Sequence, residues 1–296
     1  MVDCLLASAL ALVAFGLCSR ASADPIPATF DKRVVGFVFE NLTNGTPRPL
    51  GTCFFVNVPV STNMFACYLV TAKHVLQTSG GAQYRDQVLV RFSRDGGGTE
   101  FVVFPLQLTN SVIRPYTHGN PGVDIAVVPI SENIVRSQRL RMLPVNLLAT
   151  KEHMQKFRIR EGDDMFFLGL FTPFYGSKSN LPIYRFGRLS MVPDEPVPFG
   201  NEPPQELYFM ETQVFGGNSG SPALFCFSQE RNPGDTAALV AGVIKGYYVD
   251  VSPLAVIEAS AQAVSRQNTG IAVVTPAYLL KEILLSEELR KSRGDK

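Results

Sequence analysis

Several protein classes need features that this chain of 296 residues has little of or lacks. It has three histidines and five cysteines, and the CxxC, HxxxH and HExxH spacings that mark zinc sites are absent, so no metal or cofactor is expected. Its net charge is +1, and no global field favours nucleic acid or an anionic membrane surface. A long apolar stretch occurs only at the start, where CLLASALALVAFGLCS (4–19) gives 16 uncharged residues. That is short for a membrane span. ASA at 21–23 fits a small-x-small cleavage site before Asp24, although Asp3 stands where a positive charge is usual. Residues 1–23 therefore read as a signal peptide and the protein as secreted or periplasmic, with no stable membrane span after cleavage.

Cys4 and Cys18 belong to that segment, which leaves Cys53, Cys67 and Cys226. Cys53 and Cys67 lie in TCFFVNV and MFACYLV, joined by the turn-like PVST. A hairpin centred near Val60 sets them opposite each other. A disulfide and two buried free thiols are both open readings.

What the chain does have is short apolar and β-branched runs separated by turn chemistry. RVVGFVFE (33–40), QVLVRFS (87–93), EFVVFPLQL (100–108) and VDIAVVPI (123–130) read as strands in the first half. DMFFLGLF, PIYRFGRLSMV, ELYFMETQV, SPALFCF, ALVAGVIKGYY and GIAVVTP follow in the second, after a more polar, partly helical stretch near 131–160. So many short strands predict an all-β barrel or sandwich. A helical period is clear only in PAYLLKEILLSEELRK, which predicts one helix over 276–291. VPDEPVPFGNEPP (192–204) carries five prolines, so it reads as a surface loop rather than a central strand.

The stretch GGNSGSP (216–222) surrounds one serine with turn formers. A serine hydroxyl becomes a nucleophile when a base takes its proton and a third group holds that base. His74, at the end of the apolar run ACYLV, suits such a base; His118 lies in a turn and His153 in a polar helix. Asp124 opens an apolar strand, where a carboxylate needs a partner, and Asp250 is its competitor. The N–H groups of Gly217 and Ser219 are suited to an oxyanion, with Gly216 and Gly220 supplying the dihedrals.

TAKH, DIAV and GNSGSP, in that order, resemble the His, Asp and Ser boxes of the chymotrypsin-fold (trypsin-like) serine endopeptidases. The separations of 50 and 95 residues, with GTCFFV before and VAGVIKG after, extend the likeness over roughly residues 33–285. Asn218 before the serine is similar to the bacterial high-temperature-requirement peptidases, and no PDZ-like segment follows. The resemblance implies two six-stranded antiparallel β-barrels, 24–148 with His74 and Asp124 and 149–296 with Ser219 and the C-terminal helix. It implies peptide hydrolysis through a Ser219 acyl-enzyme with His74 and Asp124, polypeptide substrates, and no activation by a freed N-terminus, since Asn218 cannot form that ion pair. It also implies a substrate pocket floored by Gln213 and walled by Ile244, Lys245, Gly246 and Tyr247, with an uncharged preference. Ser221 and Cys53 stand where glycine is commoner in that family. A binding scaffold on the same barrels, or an esterase with the same triad, is the alternative.

Overall fold

The computed structural model describes residues 30–42, 45–79, 81, 83–94, 97–106, 115–227, 238–254 and 263–294, with backbone alone for 251–254 and 263–266. The expected signal segment lies outside the described residues.

The first half contributes β1 (Val35–Asn41), β2 (Pro47–Ser61), β3 (Met64–Thr71), β4 (Gln87–Ser93), β5 (Thr99–Pro105), β6 (Tyr116–Thr117), β7 (Ala126–Ile130) and β8 (Leu143–Pro144). They form one eight-stranded sheet in the order β5-β4-β1-β2-β3-β7-β6, with β8 pairing β2 in parallel. This sheet stands where a closed six-stranded barrel was expected. Its helices are the single turn α1 (Lys73–Leu76) and α2 (Glu132–Ser137).

The second half adds α3 (Lys151–Lys156), β9 (Asp164–Gly169), β10 (Ile183–Met191), β11 (Val197–Phe199), β12 (Glu202–Gln205), β13 (Tyr208–Glu211), β14 (Pro222–Cys226), β15 (Ala238–Leu254) and β16 (Ala263–Pro276). Six of these strands close an antiparallel barrel in the order β10-β13-β16-β15-β14-β9. The proline-rich segment is outside it, as the separate two-stranded hairpin β11–β12. The molecule is all-β, with the chymotrypsin-like pairing of a sheet and a barrel and a helical C-terminus.

β9 and β14 are continuous apolar runs, rather than alternating ones, because both their faces are covered. On β9, Met165 and Phe167 point into the barrel core, while Phe166 and Leu168 join the larger cluster that includes the first sheet. On β14, Ala223 and Phe225 face the barrel and Leu224 the first sheet. Burying one Phe or Leu side chain in this way contributes about 1.5–3 kcal/mol. The seam between the halves is thus itself an apolar core.

Two expectations are corrected. The β2–β3 hairpin pairs Ser61 with Met64, so its turn is Thr62–Asn63 and not Val60. Pro59 and Val60 lie within β2, and the turn-forming asparagine sets the register. Cys67 then faces Asn57, Cys53 faces Gly36 on β1, and both are free thiols. The C-terminal helix is two helices, α4 (Ala277–Leu284) and α5 (Glu287–Arg293). Leu285 ends the first, and Ser286 caps the second by accepting the Leu289 N–H at 3.3 Å. Their apolar side chains, Leu280, Ile283, Leu284 and Leu289 among them, extend the seam cluster.

Candidate active site

α1 begins two residues after β3 ends, and this short helix carries His74. Its side chain remains 46% exposed while that of Asp124 is only 6% exposed, so the pair presents an imidazole to solvent and hides the carboxylate. Asp124 lies just ahead of β7 and accepts twice from one residue. Oδ1 takes the His74 backbone N–H at 2.9 Å, and Oδ2 is 2.6 Å from His74 Nδ1. The Lys73 N–H also reaches the Asp124 carbonyl, at 3.3 Å.

Burial pushes the Asp124 carboxyl up. The His74 side chain, the charge of Lys245 and the His74 backbone N–H outweigh that effect and hold it below the usual carboxylate range. Sequence reading had three histidines and two acids to choose from. The structure joins His74 to Asp124, whereas His118 pairs with Glu282 at 2.8 Å and His153 accepts the Thr150 N–H at 3.3 Å. Asp250 is exposed on β15.

The serine turn is fastened from both halves. Gly217 and Gly220 have φ of +97° and +86°, the left-handed region that glycine tolerates; Gly216 has no such angle, so the second permissive position is Gly217. A Cβ on Gly220 would lie 2.0 Å from the Thr52 carbonyl oxygen. Asn218 is buried, and its carboxamide accepts the Phe215 N–H and donates to the Leu170 carbonyl, both at 2.9 Å. A neutral amide serves both bonds, whereas an aspartate could only accept.

Thr52 was not singled out in the sequence, yet it ties this turn to the first sheet. Its N–H donates to Ser219 O and its Oγ1 to Gly217 O, each at 2.8 Å. The same Oγ1 accepts from Leu170 N–H at 2.8 Å, and its carbonyl accepts from Thr71 Oγ1 at 2.7 Å. The signal that could have found it is its place next to Gly51, where a Cβ would meet Ser219 O at 2.8 Å and Val75 of α1 at 2.8 Å. The histidine's helix and the serine's turn therefore meet across Gly51.

Ser219 Oγ donates to the Lys245 carbonyl at 3.2 Å, and among the described residues no hydrogen bond joins it to His74. The N–H groups of Gly217 and Ser219 have no acceptor among the described residues, whereas those of Asn218, Gly220 and Ser221 are all engaged. Two free backbone donors flanking Asn218 in one turn are the kind of groups a developing oxyanion requires.

The residues expected to form a pocket have different surroundings among the described residues. Ile244 is buried in the barrel core, and Tyr247 packs against that core. Gly246 lies under the Phe199 ring of β11, where a Cβ would be 3.3 Å from Cζ. Lys245, 4% exposed, sends its ammonium to Glu202 Oε2 at 2.5 Å and Gln205 Oε1 at 2.9 Å on β12. Gln213 is exposed and lines a separate cleft with residues of β10 and β16. The β11–β12 hairpin thus rests on the strand that accepts the Ser219 hydroxyl.

No family model and no curated protein matches the chain. Among solved structures it is similar to the HtrA-type protease AlgW with a tripeptide, at 17% identity over 89% of this chain and 62% of that one, with a TM-score of 0.49. It therefore spans less than two thirds of AlgW. It is also similar to Deg5, at 17% identity over 73% and 80% with a TM-score of 0.43. The inactive form of the Rv3671c protease matches at 17% identity over 85% and 87%, with a TM-score of 0.45.

Proposed function

We propose that the protein is an exported serine endopeptidase whose triad is Ser219, His74 and Asp124. The observation that carries this reading is a buried carboxylate holding the exposed His74 by both its N–H and its ring, across Gly51 from a serine turn with two unused N–H donors. In the reaction His74 Nε2 takes the hydroxyl proton as Ser219 Oγ attacks the scissile carbonyl. The long Ser219–Lys245 bond is exchanged for one to His74 as substrate seats, in keeping with catalytic bonds that tighten only in the complex. Gly217 and Ser219 N–H groups receive the oxyanion. His74 then returns the proton to the leaving amine, and the acyl-enzyme is hydrolysed by the reverse sequence with water. Asp124 keeps the Nδ1 tautomer and offsets the imidazolium charge.

The test is labelling of the purified protein with a fluorophosphonate probe, beside Ser219→Ala and His74→Ala. Labelling of the wild type alone supports the reading, and casein digestion then separates a peptidase from an esterase. A folded wild type that neither labels nor cleaves overturns it. Asp124→Asn is expected to keep the fold and lower kcat by roughly four orders of magnitude, because the imidazole is left in the wrong tautomer; kinetics on a peptide ester measures this.

A further inference from the structure

Arg185 on β10 is a partly buried cation with no anion beside it among the described residues. Its guanidinium lies 4.9 Å from the centroid of the Phe215 ring. Its Nε is buried and bonded to nothing among the described residues. Burial lowers the guanidinium's pKa, and no neighbouring carboxylate offsets this. Other partly buried cations have partners: Arg85, whose Nε is also unbonded, pairs with Glu40. Arg91 donates to Asn180 Oδ1 at 2.8 Å and to the Gly176 carbonyl at 2.5 Å, and Lys245 has Glu202 and Gln205. An uncompensated, partly desolvated charge is costly to keep, and where one persists at a cleft it points to a ligand.

Such a cleft is present. Arg185 lines a cavity of about 660 Å³ together with Thr212, Gln213, Thr269 and Gly270. The Thr212 and Thr269 hydroxyls are spent on the Phe186 and Tyr248 carbonyls. Gln213 has no hydrogen bond among the described residues, and its Nε2 lies 3.6 Å from where a Cβ on Gly270 would stand. The cleft therefore offers two donors, a guanidinium and a carboxamide. Glu211 also lines it, but is exposed, sits opposite Arg188 and forms no ion pair with Arg185. Phe215 links the cleft to the serine, because it exchanges hydrogen bonds with Asn218, the residue before Ser219.

We propose that this cleft binds the carboxylate of an acidic peptide through Arg185 and Gln213, one tight turn from Ser219. A carboxylate accepting from a guanidinium and an amide forms charge-assisted bonds that a neutral side chain cannot. The carboxylate comes either from the substrate's own acidic side chain next to the scissile bond, or from a second peptide that bears on the Phe215 turn. Such a site predicts an acidic preference in place of the uncharged one expected from Gln213, and its connection to catalysis rests on Ser219 being the nucleophile.

Binding is measured first, without turnover. A fluorescein-labelled glutamate-rich peptide is titrated into Ser219→Ala protein and followed by anisotropy, with its glutamine counterpart as control. Arg185→Gln in that background is expected to weaken binding at least about tenfold, the weight of one charge-assisted bond, with Arg185→Lys intermediate. Equal binding of both peptides, or binding indifferent to Arg185→Gln in a protein of unchanged melting temperature, overturns the site whatever Ser219 does. Kinetics then identifies the source. A preference for Glu over Gln before the scissile bond that Arg185→Gln abolishes assigns the substrate's side chain. Faster cleavage of a neutral substrate on adding the acidic peptide, lost in the same variant, assigns a second peptide. Failure of fluorophosphonate labelling with peptide binding intact would remove the peptidase reading and leave the site.

Discussion

Thr52 holds more of the candidate site together than any residue the motifs pointed to. Its hydroxyl links the Gly217 carbonyl to the Leu170 N–H, so Thr52→Val keeps the shape and orphans both groups. A loss of about 1–3 kcal/mol per unsatisfied group is expected, with slower fluorophosphonate labelling because the turn loosens before the fold does. Urea denaturation beside labelling rates checks this. Asp124 makes a second residue-scale prediction. Its pKa is depressed in the folded state, so the stability it contributes is fully present above the unfolded value of about 3.9 and is lost as pH falls through the lowered one. The stability gap between wild type and Asp124→Asn should therefore narrow below about pH 4 in urea titrations. At this scale the triad candidates were legible because histidine is scarce, His74 follows an apolar run, Asp124 opens one, and Ser219 is ringed by turn formers. Thr52 was not, since a threonine inside a strand reads as an ordinary β-former and its partners lie 118 and 165 residues away.

Among the elements, the β11–β12 hairpin departs furthest from its expected form. Five prolines ruled out a central strand and were consistent with a surface loop, and the segment does lie outside the barrel. What composition could not convey is that this loop pairs with itself and covers β15. Gly246 admits the Phe199 ring, the Tyr248 hydroxyl donates to the Pro198 carbonyl at 2.9 Å, and Lys245 is sealed beneath. Glu202 is half exposed and Lys245 is not, which makes their substitutions unequal. Glu202→Gln leaves the buried ammonium with Gln205 but no counter-charge and should cost about 1–2 kcal/mol, a buried-pair penalty discounted for the exposed carboxylate. Lys245→Met removes the charge along with its need for a partner and should be near neutral. Urea midpoints of the two variants measure the difference; equal losses would mean that Lys245 is not sealed by the hairpin. The hairpin turn of β2–β3 escaped sequence reading for a similar reason. PVST and STNM are both turn-like, and only pairing with β1 and β7 decides which one bends.

The whole molecule was legible as all-β, with the candidate site residues divided between two halves of the chain. That the first half is an eight-stranded sheet rather than a closed barrel was not, because closure depends on strand stagger and not on any run of residues. The apolar seam has a further consequence. Phe166, Leu168 and Leu224 belong to the second half by chain order and to the first half by packing, and the C-terminal helices pack against the same cluster. Neither half alone can cover its own apolar face. Cutting the chain in the connection between β8 and α3 and expressing the pieces from separate plasmids should give two insoluble fragments. Expressed together, they should find each other, because the surface each lacks is the surface the other exposes. Recovered fluorophosphonate labelling would report that reunion, since the imidazole and the hydroxyl would arrive on different polypeptides. The gene could then be read as two cistrons whose products make sense only as a pair.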